Sequence, residues 1–204
     1  LLAKLEDILS PEDDPNQLHL SIATLCGHQG TGRATLARHY IQVHEHDLSF
    51  VFWIGAESWE TVVASYLEFA NILVQHYCKT VPRDRVENDL GLTGVGEMLK
   101  VKSILQLDTI RVRSVVRSVK DWLLRPDNGK WLIVFDNVEP SLNILDFIPL
   151  TLTGKIIFTC QDKNSCPLGA EVPVGPLTPD QALKLMELTL GETLLDPAQG
   201  MLIL

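Results

Sequence analysis

Hydrophobic positions along this 204-residue chain switch between two periods, and the switches mark its elements. Leu2, Leu5, Ile8 and Leu9 share one helical face before SPEDDPNQ breaks the pattern with two prolines and an acidic cluster. Residues 1–17 therefore read as a short helix and a linker. LHLSIATLCG, Leu18 to Gly27, is a compact apolar run with β-branched members that ends in glycine, the mark of a buried strand. From Arg33 the period turns helical through Leu36, Ala37, Tyr40 and Ile41. SFVFWIGA, Ser49 to Ala56, predicts a second strand. Ser58 is placed to cap a helix whose apolar stripe is Trp59, Val62, Val63, Tyr66, Leu67, Ala70, Leu73, Val74 and Tyr77.

Gly91, Gly94 and Gly96 break any period between Pro82 and Ile110, which reads as a loop or short-helix insertion. Val112, Val115, Val116, Val119, Trp122 and Leu123 then restore helical spacing, with Arg113, Arg117 and Lys120 off the stripe. KWLIVFDNV (Lys130 to Val138) and GKIIFTC (Gly154 to Cys160) have the continuous Ile/Val/Phe character of strands covered on both faces, and AEVPVGPL supplies a shorter one. Thr178, Pro179 and Gln181 form a capping-box start to a last helix through Ala182, Leu185 and Met186. Strands alternating with helices predict an α/β fold of three layers around a mainly parallel, five-stranded sheet, with ligands outside the carboxyl ends of the strands.

A net charge of −9 argues against nucleic acid as a partner, because phosphate-backbone binding needs a basic footprint. The 4 cysteines include no CxxC pair, and Cys26 and Cys160 sit in apolar runs, which points to a reducing compartment. The first ten residues are broken by Lys4, Glu6 and Asp7, so they make neither a signal segment nor a membrane span. The expected setting is cytoplasmic, away from membranes.

The candidate chemistry lies in GHQGTGRATLA, Gly27 to Ala37. A phosphate-binding loop, G-x-x-x-x-G-K-[ST], converges backbone N–H groups on phosphate oxygens, sends a lysine to the β/γ-phosphates and a hydroxyl to Mg²⁺. Gly27 and Gly32 keep its spacing, and Gly30 adds flexibility, but Arg33 replaces the lysine and Ala34 the hydroxyl residue. Thr31 and Thr35 retain hydroxyls nearby. The same stretch also fits a plain glycine-rich turn. WLIVFDNVE, Trp131 to Glu139, brings four apolar residues to Asp136, the Walker B arrangement that delivers a carboxylate to the Mg²⁺ edge, although an aspartate there can also just end a strand. Asn137 beside it cannot act as a general base. GKIIFTCQD resembles a sensor strand, with Thr159 offering a hydroxyl and Gln161 standing where an arginine is expected. His39, His44 and His46 read as solvated residues rather than a metal site, and Arg113, Arg117 and Lys120 as a wet helix face.

In this order the motifs resemble an NB-ARC domain, the nucleotide-binding module of the STAND class of P-loop ATPases, and most of all the versions in fungal NLR-type receptors. The resemblance covers roughly residues 15 to 190. It implies a P-loop NTPase fold over 18–177, with 178–204 as the start of a helical subdomain and the sensor strand between the P-loop and Walker B strands. It further implies ADP or ATP as ligand, held by Gly27, Gly30, Thr31, Gly32, Arg33, Ala34 and Thr35, with Mg²⁺ at Asp136. Members hold ADP when inactive and exchange it for ATP to oligomerise, so the implied partners are a nucleotide, signalling proteins and further copies of the chain. Gln29, Arg33, Ala34 and Gln161 depart from the family pattern. The family's helical subdomain and winged helix, which close over the adenine, need more chain than the residues up to Leu204 provide. The expected activity is nucleotide binding with weak or absent hydrolysis. The alternatives are a nucleotide-free interaction module and a P-loop small-molecule kinase, whose arginine-rich lid Arg83 and Arg85 alone would have to supply.

Overall fold

The computed structural model describes residues 1–10, 20–125, 128, 130–149, 151, 153–164 and 166–190, the last five of these as backbone only. Five strands, β1 (Ser21–Cys26), β2 (Phe50–Gly55), β3 (Trp131–Asp136), β4 (Lys155–Cys160) and β5 (Ala170–Pro173), form one sheet in the order β2-β3-β4-β1-β5. Every pairing is parallel, and β4, the strand expected to act as sensor, lies between β1 and β3. The continuous apolar runs of β3 and β4 follow from that topology. A strand covered on both faces has no polar side to present.

Helices α1 (Leu2–Leu9) and α2 (Arg33–Val43) cover one face, where Leu5, Leu9, Ala37 and Tyr40 pack on Ala23, Leu25, Leu132, Val134 and Ile157. Lys155 Nζ ties this layer together by donating to Ser10 Oγ at 2.9 Å and Tyr40 Oη at 3.1 Å. The other face carries α3 (Trp59–Tyr77) and α6 (Thr109–Leu123), whose stripes meet Phe52, Ile54, Ile133, Phe135, Ile156 and Phe158. Ser58 caps α3 as its sequence predicts: its hydroxyl accepts from Thr61 N–H at 3.2 Å, and Thr61 Oγ1 accepts from Ser58 N–H at 3.0 Å. A matching capping box joins Thr178 and Gln181 at the start of α7 (Pro179–Leu190). Part of the linker expected before Leu18, and residues 191–204 of the expected helical subdomain, lie outside the described residues.

The glycine-broken insertion folds as α4 (Arg83–Leu90) and α5 (Val95–Met98), followed by a 3-10 turn at Ile104–Gln106. Its organiser, missed in the sequence, is buried Glu87: Oε1 accepts from Arg83 Nε at 2.6 Å and Oε2 from Gly94 N–H at 2.9 Å. The Gly94 N–H, aided by Arg83 and opposed by burial, holds this carboxyl below the usual carboxylate range. Val86, Leu92, Val95 and Met98 bury against the α3/α6 layer. The insertion is thus part of the core.

Gly154, just before β4, has φ +106°, and a Cβ there would lie 2.3 Å from the buried Trp131 ring. Trp131 is pinned in turn, its Nε1 donating to Leu123 O at 3.2 Å. Gly154→Ala therefore combines backbone strain with overpacking and should destabilise the chain by about 2–4 kcal/mol. Urea unfolding checks this; an unchanged midpoint would contradict the packing described.

Candidate functional site

The parallel register brings β1, β4 and β3 to a common edge. Cys26 stands opposite Cys160, and Phe158 opposite Phe135, so Gly27, Asp136 and Thr159 gather at the carboxyl ends. Gly27 N–H donates to Cys160 O at 3.2 Å, and Val174 N–H donates to Cys26 O at 2.6 Å. A Cβ on Gly27 would meet Val174 O at 2.1 Å, so the chain leaves the sheet here only as glycine. Gly30 and Gly32 follow in the left-handed region, with φ of +82° and +91°. Gly32 is the N-cap of α2, its carbonyl accepting from Leu36 N–H at 2.8 Å. Thr31 turns its hydroxyl inward to His28 O at 2.9 Å. The result is an open loop leading into a helix whose first-turn N–H groups have no intrahelical partner and carry the positive end of its dipole.

Arg33, the first residue of α2, is only 9% exposed. Its Nη1 is, among the described residues, the buried side-chain nitrogen left without a hydrogen-bond partner. Its guanidinium lies toward the end of β4, near enough to Cys160 to be felt by that thiol. Burial nevertheless dominates there and raises the Cys160 and Cys26 thiols above their ordinary range. With their sulfurs 3.3 Å apart and protonated, these cysteines pack as small apolar groups rather than acting as nucleophiles. An unpaired buried cation is costly, whereas an anion at the same spot would make charge-assisted bonds.

Asp136 ends β3, and both its oxygens accept hydrogen bonds. Thr159 Oγ1 donates to Oδ1 at 2.6 Å, and Trp53 Nε1 donates to Oδ2 at 3.2 Å. The direction of the first bond is fixed because a carboxylate only accepts, and Thr159 Oγ1 accepts in turn from Asn137 N–H at 2.8 Å. Asn137 reaches that position with φ +60°, the left-handed conformation asparagine tolerates. Trp53 is held from its other side by Arg38, whose guanidinium carbon is 4.7 Å from the ring centroid.

The structure thus unites Gly27, Gly30, Thr31, Gly32, Arg33, Asp136 and Thr159 at one edge. Ala34 and Thr35 follow on the first turn of α2, Thr35 exposed, and Gln161 is exposed one residue past β4. A divalent cation fits this donor set poorly: Ala34 offers a methyl group, and the two Asp136 oxygens already accept from uncharged donors. Trp53 is the residue the sequence reading missed. The period of β2 puts it two positions before Gly55, which pairs with Asp136, but that signal is usable only once β2 is known to neighbour β3. His44 lies away from the site, 3.3 Å from Glu6. Arg117 pairs with Asp121 on the exposed face of α6, while Lys120 donates to Asp146 O.

Replacing Arg33 by methionine keeps the packed volume and deletes the uncompensated charge. The ligand-free Arg33→Met chain should be more stable than the parent by at least about 1 kcal/mol. Thermal unfolding reads this directly, and a loss of stability would mean that the guanidinium already has its partner.

No family model matches this chain, and no curated protein matches it. Among solved structures it is similar to Cdc6p from Pyrobaculum aerophilum, with a TM-score of 0.55 and 13% identity over 91% of this chain and 47% of that one. The STAND protein with a tetratricopeptide repeat sensor from Pyrococcus horikoshii overlays with a TM-score of 0.43 and 13% identity, over 97% of this chain and 26% of that one. The chain thus spans about half the length of the first and a quarter of the second. No helix among the described residues is long and apolar enough to cross a membrane. The five-stranded parallel sheet, its strand order and the glycine loop between β1 and α2 make the fold that of a P-loop NTPase.

Proposed function

We propose that this chain is the nucleotide-binding module of an NB-ARC-like signalling protein, which holds ADP or ATP at the loop Gly27 to Thr35 and hydrolyses it weakly or not at all. The observation that carries the reading is the buried, unpartnered Arg33 Nη1 at the start of α2, directly after glycines with left-handed backbone. A buried cation beside free helix N–H groups is complementary to a phosphate chain. The ordered motifs from the P-loop strand to the Thr178 capping box, with the sensor strand between β1 and β3, support the NB-ARC assignment within the P-loop class. Weak turnover follows from the residues themselves. Ala34 removes a metal ligand, Asn137 cannot take a proton from water, and Gln161 carries no charge to a γ-phosphate. The partners of such a module are nucleotide, other signalling proteins and further copies of itself, in a cytoplasmic setting.

A second reading, a nucleotide-free interaction module with a vestigial loop, is favoured by the satisfied state of Asp136. Calorimetric titration of ADP and ATP separates the two. Saturable binding is expected, and Gly32→Val and Arg33→Ala should each weaken it by at least about tenfold, or 1.4 kcal/mol. Flat traces from folded protein would reject the nucleotide reading in favour of the interaction module.

A further inference from the structure

We propose that the Trp53 indole and the Thr159 hydroxyl take on Asp136 the place a divalent cation holds in a working ATPase, so that this site binds its nucleotide as the metal-free polyphosphate anion. The inference rests on the nucleotide reading above and names the ionic form of the ligand.

A magnesium site of this fold needs oxygen donors facing the phosphates, with a carboxylate free to orient the ion's waters. Neither requirement is met at this edge. Position 34 is alanine, and the Asp136 carboxylate is clamped from both sides by neutral donors, Thr159 Oγ1 at 2.6 Å and Trp53 Nε1 at 3.2 Å. Both donors are themselves fixed. Asn137 N–H orders the Thr159 hydroxyl, and Arg38 stacks on the Trp53 ring from the α2 side. To recruit the carboxylate, a cation would have to share or displace donors already set on each oxygen, one of them the indole of a packed ring on the sheet face, where Trp53 joins the Leu132 and Val134 cluster.

The positive charge for the phosphates comes instead from Arg33. A guanidinium offers two parallel N–H donors to a pair of phosphate oxygens, which an ammonium cannot do, and its charge does not depend on a metal. Arg33 and the helix N–H groups therefore supply attraction that the lysine site of an ordinary P-loop shares with Mg²⁺. Trp53 acts as a positioning residue: its indole N–H fixes Asp136 Oδ2, while Arg33 Nη1 keeps no protein partner.

The test is the affinity of the full chain for ADP by calorimetry, once in EDTA and once in excess Mg²⁺, with the indole N–H proton resonances of its 4 tryptophans followed in parallel by NMR. The two affinities should agree within about twofold, and Trp53→Phe, which frees Oδ2, should make binding tighten with Mg²⁺ by several-fold. The Trp53 resonance, assigned by its loss in that variant, should shift with Asp136→Asn and stay in place when millimolar Mg²⁺ is added. Wild-type affinity that rises by about tenfold or more with Mg²⁺ overturns the proposal, as does an indole resonance that moves with the metal. Absence of ADP binding in both buffers rejects the nucleotide reading instead, and the indole resonances then decide the metal assignment alone. Should Trp53→Phe fail to fold, Asp136→Asn assigns the resonance and the wild-type comparison stands unchanged.

Discussion

Because Cys26 lies opposite Cys160 and Phe158 opposite Phe135 in one parallel ladder, three strands finish level, and whatever follows each of them is delivered to the same edge. The ladder cannot slip by one residue. Such a slip would turn Ala23, Leu25, Leu132, Val134 and Ile157 away from the α1/α2 layer and set Thr159 off Asp136. The apolar content of the strands and the polar geometry at their ends are thus one constraint seen twice. Gly27 extends it into the loop, since its N–H closes on Cys160 O and its missing Cβ leaves room for Val174 O.

Two opposite charges stand at that edge, and their inequality gives the site its character. Asp136 is satisfied by neutral donors, whereas the Arg33 guanidinium keeps a nitrogen without a partner. The carboxylate is held by an indole on one oxygen and a hydroxyl on the other, and in the proposed reading the unpartnered guanidinium is the group an anion meets. Trp53 thereby shapes the site without standing in the loop.

Much of this was legible in the sequence, and the limit has a physical cause. Contiguous signals carried well: the Trp59 to Tyr77 stripe became a helix of the same bounds, Ser58 and Thr178 capped as their hydroxyls and neighbours predict, and the five strands fell where the apolar runs lay. Each of these depends on residues a few positions apart. What stayed hidden depends on residues far apart in the chain. Trp53 meets Asp136 across 83 positions, and nothing local to β2 distinguishes its indole from a core ring. Glu87 likewise reads as one charge on a polar helix until the turn at Gly94 brings a backbone N–H to it. The burial of Arg33 belongs to the same class, because a cation beside a glycine loop reads equally well as solvated.

The departures from an ordinary P-loop also form a set with one physical logic. Holding a polyphosphate needs fixed positive charge and directed N–H groups, the role the proposed function gives to Arg33 and the start of α2. Transferring a phosphoryl group needs more: charge placed between the β- and γ-phosphates, an oriented water and a base to receive its proton. Ala34, Asn137 and Gln161 remove contributions to the second list and leave the first intact. The Trp53–Asp136–Thr159 network then satisfies the half-buried carboxylate, which would otherwise lack donors at the end of β3. For the proposed nucleotide module, retention without turnover is the behaviour that arrangement of charges favours.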